Sequence, residues 1–157
     1  MSPDIVVTGK GLGGGMPIGA FIASKEHMSL LQNHPKLGHI TTFGGHPVIA
    51  AAALATLEEI TTTNLMKEAL RKEVLIKSLL IHPSIKEIRG TGLMLALIVD
   101  SAELASKIIL NCLENGLVLF WLLFEPKAIR ITPPLTISDD EIKKGCKIIL
   151  DELNQPK

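Results

Sequence analysis

Residues 3–20 read Pro-Asp-Ile-Val-Val-Thr-Gly-Lys-Gly-Leu-Gly-Gly-Gly-Met-Pro-Ile-Gly-Ala, and this stretch carries the strongest indication of the fold. Its apolar run, Ile5 to Val7, predicts a buried strand, because β-branched residues fit the packed interior of a sheet. The strand leads directly into Lys10, which lies among five glycines between positions 9 and 15. Glycine permits positive φ angles and a close approach of the backbone. The stretch therefore predicts a lysine amine at a strand end, with no bulky side chains around it.

Three interpretations of this stretch compete. It can be a flexible surface turn with a solvated lysine. It can also be a phosphate-binding loop, because Gly9, Gly11 and Gly14 match the G-x-G-x-x-G spacing of dinucleotide folds. Pro17, however, falls where the helix of such a fold should run, and the P-loop pattern requires its lysine to follow the glycines. The third interpretation is a lysine that forms a Schiff base with a cofactor.

The stretch resembles the cofactor-lysine segment of the class III aminotransferases, P-D-I-x-x-x-x-K-x-x-G-G-G-x-P-I-G-A, position for position from Pro3 to Ala20. Members of that family use pyridoxal 5'-phosphate on the fold-type-I scaffold. The resemblance implies that Lys10 forms the Schiff base with this cofactor. It also implies that Lys10 later moves the proton between the substrate Cα and the cofactor. Lysine suits the first task because a neutral amine is a nucleophile.

Residues 41–47 form a second candidate site and read Thr-Thr-Phe-Gly-Gly-His-Pro. They resemble the family's T-x-G-G-N-P loop, in which the threonine before the aromatic residue binds the cofactor phosphate of the neighbouring subunit. The resemblance implies this role for Thr42. The alternative is a turn closed by the threonine hydroxyl at a helix entrance. His46 departs from the asparagine that is usual in the family.

Residues 128–135 form a third candidate site and read Ala-Ile-Arg-Ile-Thr-Pro-Pro-Leu. They are similar to the family's R-x-x-P-P-L, whose arginine binds the substrate α-carboxylate, which implies this role for Arg130. Alternation along a strand places Ile129 and Ile131 on one face and Arg130 on the other. A planar guanidinium can bind a carboxylate through two hydrogen bonds. The alternative is a solvated strand arginine.

Capping residues and apolar spacing predict the remaining elements. Helices are predicted after Ser24, over 49–60 behind Pro47, over 65–80 behind Asn64, over 101–115 behind Ser101, and after a capping box from Ser138 to Glu141; strands are predicted at 85–88, 93–99, 117–120 and 128–131. The 49–60 helix is apolar nearly all round and is therefore predicted to be buried. Residues 89–94 are similar to the family's R-G-x-G-L-M and predict a tight turn, with Arg89 in an ion pair.

The resemblance implies an α/β fold, that of the fold-type-I PLP-dependent transferases. Residues 1–82 are then the C-terminal part of the large, cofactor-binding domain, and residues 83–157 are a small C-terminal α+β domain. Family members are much longer and carry the lysine past their midpoint, so we expect this sequence to be a C-terminal fragment. An apolar content of 46% agrees with surfaces that pack against further segments.

Composition argues against several other classes of protein. Sixteen basic and sixteen acidic residues give no electrostatic case for nucleic acid or an anionic membrane. The most apolar stretch, 117–124, is far shorter than the roughly 20 residues that span a bilayer. Cys112 and Cys146 predict reduced core thiols in a cytoplasmic protein. The histidines show no metal-ligand spacing, so we expect no metal site.

The resemblance implies that the full-length protein transfers an amino group between an amino acid and a 2-oxo acid. The donor is expected to be ornithine, acetylornithine or another ω-amino compound, and the enzyme a cytoplasmic homodimer. Other parts of the family's cofactor site lie upstream of Pro3, so the isolated fragment is expected to be inactive. Related members isomerise, decarboxylate or racemise their substrates. A noncatalytic structural or dimerisation fragment remains an alternative from a different class.

Overall fold

The computed structural model describes residues 2–155, which form two compact units, residues 2–63 and residues 64–155. The helix Leu65–Leu79 belongs to the second unit, so the division between the units falls ahead of this helix. The domain boundary at 82/83 concerns the complete protein and stays a prediction.

The first unit begins with an antiparallel ribbon. Strand β1, Ile5–Gly9, pairs with β2, Gly19–Ala23, and a 3-10 turn, Lys10–Gly13, follows β1 directly. The predicted first strand is confirmed, but its predicted burial is wrong, because Val7 is 79% exposed. Within residues 2–63 the ribbon consists of these two strands, and no further sheet covers its faces.

Two helices complete the first unit. The short helix α1, Lys25–Ser29, begins as predicted behind Ser24, whose Oγ accepts a hydrogen bond from the His27 amide at 3.2 Å. Helix α2, Pro47–Thr62, has proline in its first turn. A backbone N–H at this position would have no partner within the helix, so proline costs no hydrogen bond there. Its predicted burial is wrong: Ala53 is its only buried residue. The unit supplies too little polypeptide to cover a helix that is apolar nearly all round.

The second unit is a four-stranded antiparallel sheet with three helices. The strands are β3, Ile85–Thr91, β4, Met94–Val99, β5, Phe120–Trp121, and β6, Ala128–Ile131, in the order β3-β4-β6-β5. The helices are α3, Leu65–Leu79, α4, Ala102–Glu114, and α5, Asp139–Leu153. Each of these elements was predicted, although β5 lies later than the predicted 117–120. The mixed α/β prediction is confirmed.

Alternation along the strands builds the core of the second unit. One face of the sheet and the inner faces of the helices share a single apolar cluster, which includes Leu95, Leu97, Val99, Ile129, Ile131, Ile76, Ile108, Cys112, Cys146 and Ile149. Both cysteines are free and buried, as predicted. Burial raises the pKa of each thiol to about 11, so both are protonated at neutral pH.

Two of the predicted caps in this unit form. Ser101 Oγ accepts from the Leu104 amide at 3.2 Å, and Ser138 with Glu141 makes the full capping box. Gly116 follows α4 with φ +79°, the left-handed conformation in which helices often end. Asn64 precedes α3, but its side chain makes no capping hydrogen bond, so that detail of the prediction is wrong.

Candidate functional site

Lys10 lies at the point where β1 passes into the 3-10 turn. Its φ of +49° is unusual for a residue with a side chain, and such conformations concentrate at functional sites. The residue is exposed, and its amine makes no hydrogen bond or ion pair with any residue from 2 to 155. Lys10 therefore presents a free primary amine from a fixed position at a strand end.

The glycines after Lys10 let the turn pack closely. A Cβ on Gly13 would lie 3.1 Å from Cγ2 of Ile18, and a Cβ on Gly14 would overlap with Oγ1 of Thr56 in α2. Gly14 also has φ +57°, which glycine adopts without strain. The turn is thus packed against α2, which argues against the interpretation as a flexible surface loop.

Thr42 lies in a four-residue turn, 42–45, immediately ahead of α2. The residue is exposed, and its hydroxyl makes no hydrogen bond within residues 2–155. The alternative structure, a turn closed by this hydroxyl, is therefore not formed. His46 occupies the N-cap position of α2 without a side-chain cap. Free amides at a helix start attract anions. Thr42 therefore offers a hydroxyl donor beside an uncapped helix N-terminus.

Arg130 lies in β6, opposite Ala96 on one side and Phe120 on the other. Ile129 and Ile131 are buried in the core and Arg130 is half-buried, which agrees with the predicted alternation. The guanidinium carbon lies 5.0 Å from the centroid of the Phe120 ring, within reach of a cation–π interaction. Arg130 Nε is buried and has no hydrogen-bond partner. This arginine keeps a donor that no protein group uses.

Phe120 was not singled out in the sequence. Cross-strand pairing brings its ring to Arg130, and the pairing depends on the register of β5 against β6. The only sequence signal was the aromatic character of the predicted strand at 117–120, which could not indicate the partner.

A cavity of about 310 Å³ lies within the second unit, beside the segment that follows β6. Its lining is mainly apolar: Ile76, Leu117–Phe120, Arg130–Pro134, Ile137, Glu141, Ile142, Gly145, Cys146 and Ile149. Glu141 is already engaged, because its carboxylate accepts from the Ser138 amide at 2.8 Å and closes the capping box. The cavity offers space for apolar groups beside the strand that carries Arg130.

Neither a metal site nor a membrane span is found in residues 2–155. No group of three or more His, Cys, Asp or Glu side chains in this part of the chain is placed to hold a metal ion. None of its helices is both long and apolar enough to cross a bilayer.

The fold and the motifs together define a transaminase-like α/β protein. The family model for class III aminotransferases matches residues 1–153, and the chain belongs to this family. The acetylornithine aminotransferase of Caldanaerobacter subterraneus is 38% identical over 161 residues, covering 98% of this chain and 38% of the relative. The putrescine aminotransferase of Pectobacterium atrosepticum is also 38% identical, over 98% of this chain and 35% of the relative.

A solved structure agrees with these sequence relatives. The ornithine aminotransferase of Toxoplasma gondii superposes with a TM-score of 0.84 at 32% identity, covering 96% of this chain and 36% of that one. The chain thus spans well under half the length of the relatives it matches. Class III aminotransferases use pyridoxal phosphate, the cofactor expected from the sequence.

Proposed function

We propose that the protein carrying this chain transfers an amino group between an amino acid and a 2-oxo acid with pyridoxal phosphate as cofactor. The observation that supports this most directly is Lys10, whose unpaired amine is held on a packed glycine turn at a strand end. A solvated surface lysine would not need glycine at positions where a Cβ would overlap with Thr56 or crowd Ile18. Membership of the class III family supplies the reaction class.

The residues present fit the cofactor. Lys10 would hold its aldehyde carbon covalently as a Schiff base, because the amine has no competing partner in residues 2–155. Thr42, beside the uncapped start of α2, would donate a hydrogen bond from its hydroxyl to the phosphate of the cofactor in the neighbouring subunit. The cofactor, when bound, supplies the electron sink for the reaction. The amine of Lys10 would also move the proton at the substrate Cα, as a general acid and base.

Arg130 is proposed to bind the substrate carboxylate. Its buried Nε has an unused hydrogen, and contact with Phe120 still leaves the guanidinium edge as a donor. A charge-assisted pair of hydrogen bonds would hold the substrate in one orientation. The names of the relatives include a donor without a carboxylate, putrescine, and two with one, acetylornithine and ornithine. Arg130 favours the carboxylate-bearing donors for this protein.

Assembly and location are also proposals. The resemblance implies that the phosphate bound by Thr42 belongs to the neighbouring subunit of a homodimer. The apolar residues exposed on the first unit support association, since large exposed apolar patches mark interaction surfaces. The unpaired thiols of Cys112 and Cys146 support a cytoplasmic location. A boundary between a large and a small domain at 82/83 belongs to the same proposal.

The deciding experiment is reduction of the full-length, cofactor-loaded protein with borohydride, followed by peptide mapping. We expect the cofactor adduct on Lys10, and we expect Lys10→Ala to lose both the adduct and amino transfer while still binding cofactor noncovalently. Lys25→Ala, at an exposed lysine of the same unit, is the matched control and should behave like the unmodified protein.

Three outcomes would count against the proposal. An adduct on another lysine would reject the role of Lys10. Absence of any adduct, together with self-association of the chain, would favour the alternative of a noncatalytic dimerisation module, which the exposed apolar surface of α2 would then serve. Retained racemisation or decarboxylation without amino transfer would instead move the protein to another reaction type in the family.

A further inference from the structure

Lys72 is the one buried charged side chain in residues 2–155, with 6% of its surface exposed. Its Nζ donates a hydrogen bond to the carbonyl oxygen of Leu135 at 2.8 Å, across 63 positions of sequence. A buried ammonium is costly unless it is hydrogen-bonded, so this contact is a specific constraint. Leu135 is the last residue of the motif that begins at Arg130.

The segment between Arg130 and Leu135 has few other constraints. The sheet pairing of β6 ends at Ile131, which lies opposite Leu95. Pro133 and Pro134 have no N–H to donate, and their rings fix φ, so the segment is stiff. A stiff segment transmits the position of one end to the other. The carbonyl that Lys72 holds therefore restrains the end of the strand that carries Arg130.

A second contact fixes the same connection slightly further along the chain. Arg71, beside Lys72 on α3, donates two hydrogen bonds to Asp139 at the start of α5, at 3.0 and 2.6 Å. This pair is largely exposed and so contributes less than a buried contact. Together the two cations fasten α3 to the connection between β6 and α5, and Lys72 holds the end nearer to Arg130.

The side chain of Arg130 depends on this backbone support. Its Nε has no protein partner, and the ring of Phe120 provides a face without a directional hydrogen bond. The direction in which the guanidinium edge points is therefore set mainly by the placement of the β6 backbone. We propose that Lys72 is a positioning residue for Arg130, holding the segment after β6 so that the guanidinium meets a substrate carboxylate. The inference rests on the proposed carboxylate-binding role of Arg130.

The test uses Lys72→Met in the full-length protein, because methionine keeps the apolar stem and removes the donor. Lys72→Arg retains a donor and is the rescue variant, and Arg71→Met is the matched control on the same helix. Glutarate, a dicarboxylate without an amino group, serves as the probe of carboxylate binding and needs no turnover. Hydrogen exchange of the Ile137 amide, which donates to the Pro134 carbonyl at 3.0 Å, reports on the segment itself.

We expect Lys72→Met to weaken glutarate binding by about tenfold and to speed exchange at Ile137 by a similar factor, as loss of a charged hydrogen bond implies. The α4 amides should exchange as before, which separates a local change from general destabilisation. Lys72→Arg should recover most of the affinity, and Arg71→Met should have a smaller effect. With Arg130→Met in place, Lys72→Met should cause no further loss of glutarate binding.

The outcomes separate this inference from the proposed function. If Arg130→Met weakens glutarate binding but Lys72→Met does not, the positioning role is overturned and the role of Arg130 stands. If Arg130→Met leaves glutarate binding unchanged, the carboxylate role fails, and the positioning role fails with it. Equal losses from Lys72→Met with and without Arg130, or faster exchange throughout α4, would mean that Lys72 is only structural.

Discussion

The two units contain similar elements but differ in what their apolar residues contact. In the second unit Leu97, Ile129 and Cys112 are fully buried in one cluster. In the first unit Ala53 is the only buried apolar side chain of residues 2–63, whereas Leu54 is 57% exposed. Both units form helices and paired strands, yet only the second encloses a core. Secondary structure and burial are thus separate properties of this chain.

The largest expected difference is in hydrogen exchange. In the 157-residue chain, amides in β4 and α4 should have protection factors about 1,000-fold higher than amides in α2, where each protection factor compares an amide with the same amide in an unfolded peptide. The reason is that helices and strands without tertiary packing open easily. Mass-spectrometric exchange on the chain measures both regions at once. Protection of α2 equal to that of α4 would show that the first unit is stable without further polypeptide.

Shortening a leucine to alanine should also affect stability differently in the two units, although the expected difference is smaller. Leu97→Ala removes a side chain with no exposed surface and should lower the free energy of unfolding of the second unit by about 2–5 kcal/mol. Leu54→Ala is the same change at an exposed position of α2. It should alter the free energy of unfolding by no more than about 0.5 kcal/mol. Denaturant titration followed through Trp121, the only tryptophan, measures the second unit. Equal effects would contradict the difference in packing.

Helix caps provide a finer comparison. Ser138→Ala removes the capping box of the 15-residue α5 and should cost about 1 kcal/mol of unfolding free energy. Ser24→Ala removes a cap of similar geometry from α1, which has five residues and no buried side chain. We expect no measurable change in the unfolding midpoint from the second substitution. A Ser24→Ala effect as large as that of Ser138→Ala would indicate that α1 is part of a cooperative core.

The smallest predicted effect concerns pH. Hydrogen bonds from Lys77 and from the Gly92 amide, at 2.5 Å each, hold the pKa of the Glu73 carboxyl below its ordinary value. A carboxyl whose pKa is lower in the folded protein stabilises it above the unfolded pKa of about 4.3, and this stabilisation is lost as pH falls. Glu73→Gln should therefore lose less stability than the unmodified chain between pH 5 and pH 3.

Thermal melts across this pH range measure the effect. Glu114→Gln, at an exposed glutamate of α4, is the control and should follow the unmodified chain. A Glu73→Gln variant that loses stability in parallel with the unmodified chain would show that the contact between α3 and the β3–β4 turn adds nothing in solution.

Short-range signals made much of the fold predictable. The capping box at Ser138, the serine ahead of α4 and Pro47 at the start of α2 each act within one helical turn, so neighbouring residues suffice to recognise them. Alternation in β6 likewise indicated that Arg130 lies on the opposite face from Ile129. The site residues came from three motifs, and their chemical roles stay predictions.

Long-range contacts were beyond what the sequence shows. Burial of α2 was predicted wrongly because an apolar helix indicates that a partner is needed, not that the surrounding unit provides one. Phe120 reaches Arg130 through strand register, and Lys72 reaches the Leu135 carbonyl over 63 positions. The sequence by itself determined where helices and strands begin and which motifs carry reactive groups, since those depend on neighbours. Only tertiary packing decided which apolar side chains are enclosed and which residues support Arg130, because both depend on segments far apart in the chain.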